Sequence, residues 1–220
     1  MQSMYQYFSA EHGNAFNCAL PELRQSIASI RFVERERECD HGVAGNTFRA
    51  YVGGANPPSV IYRQWAERVC EQLDPQVQVL AHQLSTAEGF RAWHTSLADS
   101  LQAHWVSHQR LQLSFAHQHK LIDLFVKWLS RYDFGCQQLS ESFISHANCA
   151  LDSQTLGKLN ECLSMALPLS KPSMGHIHSE KTYAFCQSLI ESFSIRRCCI
   201  NQGRGEAVLT FTRNDMAVTL

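Results

Sequence analysis

The chain lacks any strong imbalance of charge: its 220 residues carry a formal net charge of −1. It therefore has no overall basic signature of a nucleic-acid binder, although near-neutrality by itself excludes no function. No apolar run approaches the roughly 20 residues needed to span a bilayer, and the N-terminal MQSMYQYFSAEHGNAF has no basic-then-apolar leader. Paired cysteine motifs are missing too. Nine cysteines are scattered with no C-x-x-C pair, Cys198 and Cys199 being simply adjacent, which argues against a disulfide scaffold or zinc site and for reduced thiols. No G-x-G-x-x-G or G-K-S/T loop follows GGANPP, and no glutamate stands in an H-E-x-x-H frame. These absences predict a soluble, cytoplasmic protein with no membrane span, no metal and no other cofactor.

What is present is helical periodicity. With 45% hydrophobic residues the chain is able to bury one good core, or a main domain with a small appendage. Residues 1–56 are the least regular part. Pro21 opens a short helix reaching about Ile30, Gly42–Gly45 is a turn, and NTFRAYVGG has the alternation of a short strand before GGANPP breaks the chain. From Pro58 the pattern is helical: Ile61, Trp65, Val69 and Leu73 recur every four residues, with Pro57-Pro58 as start signal and Asp74-Pro75 as stop signal. Ser85-Thr86-Ala87-Glu88 has the form of a capping box ahead of the stripe Phe90, Trp93, Leu97, Leu101 and Trp105. His104 and His108 have the spacing of two metal ligands on one helix face, but eleven histidines make such pairs by chance, and none is assigned to a metal.

The segment LQLSFAHQHKLIDLFVKWLSRY reads as a helix buried among others, since Phe115, Leu121, Ile122, Leu124, Phe125, Val126, Trp128 and Leu129 cover most of its circumference. Gln137 to His146 is polar and reads as a loop. Ala150-Leu151-Asp152-Ser153-Gln154 then opens a helix with Leu156, Leu159 and Leu163 on one face, and Asp152 is placed as its N-cap. Pro168 to Gly175 is a linker, and Ser179 caps a last helix bearing Tyr183, Phe185, Leu189, Ile190 and Phe193. IRRCCIN, QGRG and EAVLTFTR read as a β-hairpin around Gly203–Gly205. The expected fold is mainly α: a multi-helix orthogonal bundle over 57–194, a short irregular N-terminal segment over 1–56 and a small C-terminal β-hairpin over 195–220.

Charge is concentrated in the middle of the chain. Between His104 and Tyr132, Arg110, Lys120, Lys127 and Arg131 face Asp123 alone, a local excess of +3 that suits either a phosphate-facing surface or an ordinary solvated face. Three readings of Lys120 are open: a snorkelling surface lysine, a lysine paired with a buried acid, and a lysine held in an apolar pocket for chemistry. Arg110 and His117 also fit the loose R-x6-H spacing of helical ribonucleases of the HEPN type, and this remains an alternative.

K-L-I-D-L-F-V-K-W, a polar loop and then C-A-L-D-S-Q-T-L resemble the lysine helix and following aspartate of the helix-hairpin-helix DNA glycosylases, nearest the archaeal 8-oxoguanine type. The pattern is similar to that of a set of uncharacterised bacterial proteins, and it covers Leu111 to Leu159, about a quarter of the chain. The resemblance implies an enzyme that flips a damaged base of 8-oxoguanine type out of DNA and excises it. Lys120 would be the nucleophile, with Lys127 as fallback, and Asp152 would stabilise the charge developing on the sugar. A lysine attacks the sugar C1′ only as the free amine, the form an apolar surrounding favours. Phe115, Trp128 and His117 are the candidate base contacts, and Arg110 and Arg131 the candidate contacts to the nucleic-acid backbone. Two features depart from the pattern. The position of the usual Gly-rich phosphate-gripping hairpin reads Ser114-Phe115-Ala116-His117-Gln118-His119, and Cys149-Ala150-Leu151 stands where a proline usually precedes the aspartate. A non-catalytic helical nucleic-acid-binding or adaptor subunit of a bacterial defence or toxin system therefore stays open as well. A protein partner or homodimer is neither implied nor excluded.

Overall fold

The computed structural model describes residues 39–51, 56–109, 111–132, 134–162, 167, 169 and 171–202. These fall in two compact units, 39–148 and 149–202, taken here one at a time. The division lies inside the stretch read above as one helical domain. Among the described residues the structure is mostly helical, and no helix is long and apolar enough to cross a membrane.

The first unit opens with a two-residue antiparallel ladder, β1 (Cys39–Asp40) on β2 (Val43–Ala44), in which Cys39 pairs with Ala44 and Asp40 with Val43. His41 and Gly42 turn the chain between them with φ of 45° and 84°. A 3-10 helix follows over Gly45–Tyr51, where a strand was expected. The reason is spacing: Phe48 and Tyr51 stand three apart, the repeat of a 3-10 helix, and their rings lie 6.1 Å apart.

Helix α1 (Pro58–Leu73) starts at its proline, where a missing N–H costs no hydrogen bond, and buries Ile61, Trp65, Val69 and Leu73 as the periodicity predicts. Asp74-Pro75 ends it but does not break the helical path. Pro75 sits in the first turn of a 3-10 helix, Asp74–Gln76, that leads into α2 (Val77–Gln83), an element the sequence reading did not anticipate. Helix α3 (Ala87–His108) carries the expected stripe of Phe90, Trp93, Leu97, Leu101 and Trp105. Its cap lies one residue later than expected. The Thr86 hydroxyl accepts from the Gly89 amide at 3.1 Å, while Ser85 Oγ donates back to the His82 carbonyl at the end of α2. Glu88 then falls one position short of the place from which a capping-box acid reaches back. Gly89 occupies that place, and a Cβ there would collide with the Gln83 carbonyl oxygen.

Helix α4 (Phe115–Leu129) is the lysine-bearing helix and α5 (Gln137–His146) corrects the loop expected there. Leu139 and Phe143, one turn apart, give α5 its buried edge, and Ser142 satisfies its hydroxyl within the helix by donating to the Gln138 carbonyl at 2.9 Å. Helices α1, α3, α4 and α5 pack around an aromatic core in which Trp65 meets Phe125 edge-on at 5.0 Å and Trp93 meets Phe143 at 5.6 Å. Each fully buried side chain of this size contributes on the order of 1.5–3 kcal/mol.

In the second unit, α6 (Ser153–Cys162) and α7 (Glu180–Gln202) hold a core of Leu151, Leu156, Leu159, Ile177, Cys186, Leu189 and Ile190. Ser179 caps α7 as expected, its hydroxyl accepting from the Thr182 amide at 3.4 Å and its carbonyl from Tyr183 at 3.0 Å. Helix α7 runs to Gln202. The hairpin turn expected around Gly203–Gly205 and its second arm lie outside the described residues, as does the helix expected from Pro21 to Ile30.

Candidate functional site

Helix α4 begins at Ser114, whose hydroxyl accepts from the His117 amide at 3.4 Å and meets His117 Nδ1 at 2.9 Å. Its inner side buries Ala116, Leu121, Ile122, Asp123, Phe125, Val126 and Leu129. The spacing His117, Lys120, Leu124, Lys127, Arg131 follows one line along the less buried side, since positions three and four apart are neighbours on a helix. Lys120 and Lys127 are half-buried and Arg131 is exposed. The β1–β2 turn rests on this line between the two lysines: a Cβ at Gly42 would run into the Leu124 carbonyl oxygen and Trp128 Cβ. Arg110, the partner of His117 in the ribonuclease reading, lies outside the described residues.

His117 abuts the Tyr51 ring edge-on at 4.7 Å. Burial, and then the charge of Lys120, lower its pKa below the usual histidine value. Burial likewise raises that of Tyr51. Phe115 stacks on His119 at 4.0 Å, and His119 Nδ1 donates to the Phe115 carbonyl at 3.1 Å. Trp128 is half-buried against His41, Phe125 and Tyr132, at centroid distances of 5.0, 5.9 and 5.8 Å.

The most buried charge-bearing group here was missed by sequence reasoning. Asp123, 1% exposed, accepts from His94 Nε2 at 2.8 Å, and His94 on α3 is 4% exposed. A carboxylate among Leu121, Ile122, Phe125 and Val126 is the signal that a partner must exist, because burying an uncompensated charge costs several kcal/mol. His94, beside Trp93 and three residues before Leu97 on the apolar stripe of the preceding helix, was the available partner. At this burial the pair has no access for a substrate.

His104 and His108 do come together, with ring centroids 4.4 Å apart. Both ring nitrogens of His104 and Nδ1 of His108 are engaged in other bonds. Arg68 donates to His104 Nδ1, His104 Nε2 donates to the Ile61 carbonyl at 3.1 Å, and His108 Nδ1 donates to the His104 carbonyl at 2.9 Å. Burial, Arg68 and His108 together lower the pKa of His104. Among the described residues no group of three His, Cys, Asp or Glu side chains is placed to hold a metal ion.

Asp152 belongs to the second unit, whereas Lys120 belongs to the first. Asp152 caps α6 as its sequence position predicts: Oδ1 accepts from the Gln154 and Thr155 amides at 3.0 and 2.9 Å, and its carbonyl accepts from Leu156 at 2.9 Å. Two amide donors fix the carboxylate, and the positive end of the helix favours its charge. Comparison with protein-family models, with curated proteins and with solved structures finds no match to this chain.

Proposed function

We propose that the chain is a DNA-glycosylase-like protein of the helix-hairpin-helix kind, cytoplasmic, built as an orthogonal helical bundle, and acting on a damaged base of 8-oxoguanine type. Lys120 attacks the sugar C1′ as the base leaves, with Lys127 the alternative nucleophile, and Asp152 stabilises the positive charge on the sugar. Phe115, Trp128 and His117 contact the extruded base, and Arg131 and Arg110 hold the phosphate backbone. The reading is supported by the local setting of the two residues that the resemblance singles out. Lys120 stands half-buried on the helix around which the first unit closes, and Asp152 is fixed by two backbone amides at a helix start.

One observation favours a second reading, a non-catalytic nucleic-acid-binding or adaptor subunit. The stretch expected to carry the phosphate-gripping hairpin is the cap and first turn of α4, and the His117 amide there is already occupied by Ser114. That leaves one donor fewer for a phosphate at this helix start, and the stretch has no glycine to let a phosphate approach the backbone closely.

Borohydride trapping on duplexes carrying 8-oxoguanine, uracil or an abasic site separates the two. A covalent adduct lost in Lys120→Gln but kept in Lys127→Gln is the expected result, and the reverse pattern moves the nucleophile to Lys127. Asp152→Asn is the discriminating partner, because asparagine caps a helix about as well as aspartate. Adduct formation should fall about 100-fold while thermal stability stays within about 0.5 kcal/mol of wild type. No adduct on any duplex, together with retained DNA binding, would establish the non-catalytic reading instead.

A further inference from the structure

A hollow of about 230 Å³ in the first unit is lined by His41 from the β1–β2 turn, by Cys70 and Asp74 at the end of α1, and by Trp128, Tyr132 and Phe134 at and beyond the end of α4. It is smaller than the roughly 300–1,000 Å³ of sites for drug-sized ligands, so it suits a head group or a single side chain. Three features of its wall limit what it can hold.

The first is aromatic. His41, Trp128, Tyr132 and Phe134 follow one another at centroid distances of 5.0, 5.8 and 4.9 Å, with interplanar angles of 67°, 44° and 55°. No successive pair is parallel, so the rings make a curved wall and not a flat platform. Ring faces carry partial negative charge and attract cations. The second is the backbone. Lining residues come from the last turns of both α1 and α4, the ends at which a helix carries a partial negative charge of roughly half an electron. The third is ionic. Asp74 brings a carboxylate, and the Cys70 thiol is pushed up to about 11 by burial and then by the charges of Asp74, Glu67 and Glu71, so the thiol adds no charge of its own near neutral pH. The hollow also borders His41, which among the described residues is the non-glycine residue held at positive φ. Backbone kept in a sparsely populated region beside a concavity is where function is to be sought.

We propose that this hollow binds a methylated ammonium group, with Trp128, Tyr132 and Phe134 as the aromatic wall and Asp74 as the counter-charge. The lining decides for methylated over unmethylated nitrogen. An ammonium or guanidinium brings three to five N–H donors, and among the lining side chains the oxygen and nitrogen acceptors are the Asp74 carboxylate, the Tyr132 hydroxyl and the ring of His41, whose Nδ1 already meets Asp40. A quaternary nitrogen has no donor to leave unsatisfied on desolvation. The site uses no nucleic acid and is independent of the excision chemistry proposed above, Trp128 being the only residue named in both.

Calorimetric titration of the full chain with choline and with 3,3-dimethylbutanol, its uncharged isostere, tests the assignment. Choline should bind at least about tenfold more tightly than the isostere. Asp74→Asn and Tyr132→Leu should each weaken choline binding about fivefold with unchanged circular dichroism. Tyr132 is 46% exposed, so its replacement leaves the core intact. A trimethyllysine peptide run beside its unmethylated form identifies the source: binding tighter than choline marks a modified protein tail, and binding no tighter marks a free metabolite. The proposal is overturned if the folded wild type binds neither choline nor the methylated peptide, if the isostere binds as tightly as choline, or if both variants bind like wild type.

Discussion

The two units bury polar groups in different ways. The first is an aromatic core with a charge-bearing pair at its centre, Asp123 against His94 at 2.8 Å. The second is mainly aliphatic and thiol-lined with Tyr183 at its edge, and among the described residues its buried polar groups are neutral: Thr155, Asn160, Thr182 and Gln187. Gln187 makes both backbone hydrogen bonds of one residue, accepting from the Cys149 amide at 3.0 Å and donating to the Cys149 carbonyl at 2.7 Å. Asn160 Oδ1 accepts from the Leu167 amide at 2.9 Å. In the second unit a side-chain amide takes the place of secondary structure for a segment that has none of its own, because a buried backbone group must be paired somewhere. The first unit has its backbone paired by helices, and apart from Ser142, bonded within its own helix, its buried polar side chains among the described residues are an acid and a histidine. The contrast teaches that losing one member of the buried pair should cost the first core more than losing a neutral amide costs the second.

The sharpest way to break that contrast is to remove one member of the pair. Asp123→Leu leaves His94 buried without its acceptor and should cost about 3–5 kcal/mol in chemical denaturation. His94→Leu with Asp123→Leu should recover a large part of the loss, since replacing both partners by apolar groups removes the orphan. A double variant no more stable than the single one would mean that the pair is needed for more than mutual compensation. Next in size is Gln187→Leu, which strands the Cys149 N–H and C=O. It should cost about 1–3 kcal/mol for each stranded group, equally at pH 5 and pH 8. A pH-dependent loss would show that the second unit is not the neutral one.

The smallest expected effect is on the first unit's titration. The folded-state pKa values of His104 and His117 lie below the ordinary 6.5. Above 6.5 both are neutral in either state and no penalty exists. As pH falls through 6.5 toward the lower folded values, the unfolded chain binds protons first and stability is lost. Thermal unfolding should therefore drop by a few degrees between pH 7 and pH 5, and His117→Gln should make the drop smaller. An unchanged drop would remove His117 from the account.

Helices α1, α3, α4, α6 and α7 were legible because their apolar residues repeat at three and four, with a start signal ahead of α1, α3, α6 and α7. Helix α5 was not, since within Gln137–His146 its buried edge rests on Leu139 and Phe143 with a serine between them. Helix α2 was hidden by Asp74-Pro75, where a proline that normally ends a helix begins the next one. The shift of the α3 cap from Ser85 to Thr86 could not be read because two hydroxyls stand side by side and each caps something, one the end of α2 and the other the start of α3. Asp152 as a cap was readable from position alone. Asp123 was visible only as a unit of charge, and recognising its partner required knowing that α3 and α4 pack together. The hollow around Trp128 draws its lining from three distant stretches of chain, which only the assembled unit places side by side.

The turn at His41-Gly42 lies against the main chain of α4 so closely that a methyl group does not fit between them. Roughly 80 residues separate Gly42 from Leu124, and closing a loop of that length costs on the order of 4 kcal/mol of chain entropy before any contact rewards it. The closure is short only once α1, α3 and α4 stand together, so this turn is expected to dock after them, which hydrogen exchange at its amides would check. The Tyr62 hydroxyl, which donates to the His41 carbonyl at 2.8 Å, is then the latch of that step. Because His41 forms part of its wall, the hollow beside it is complete only when this turn is docked.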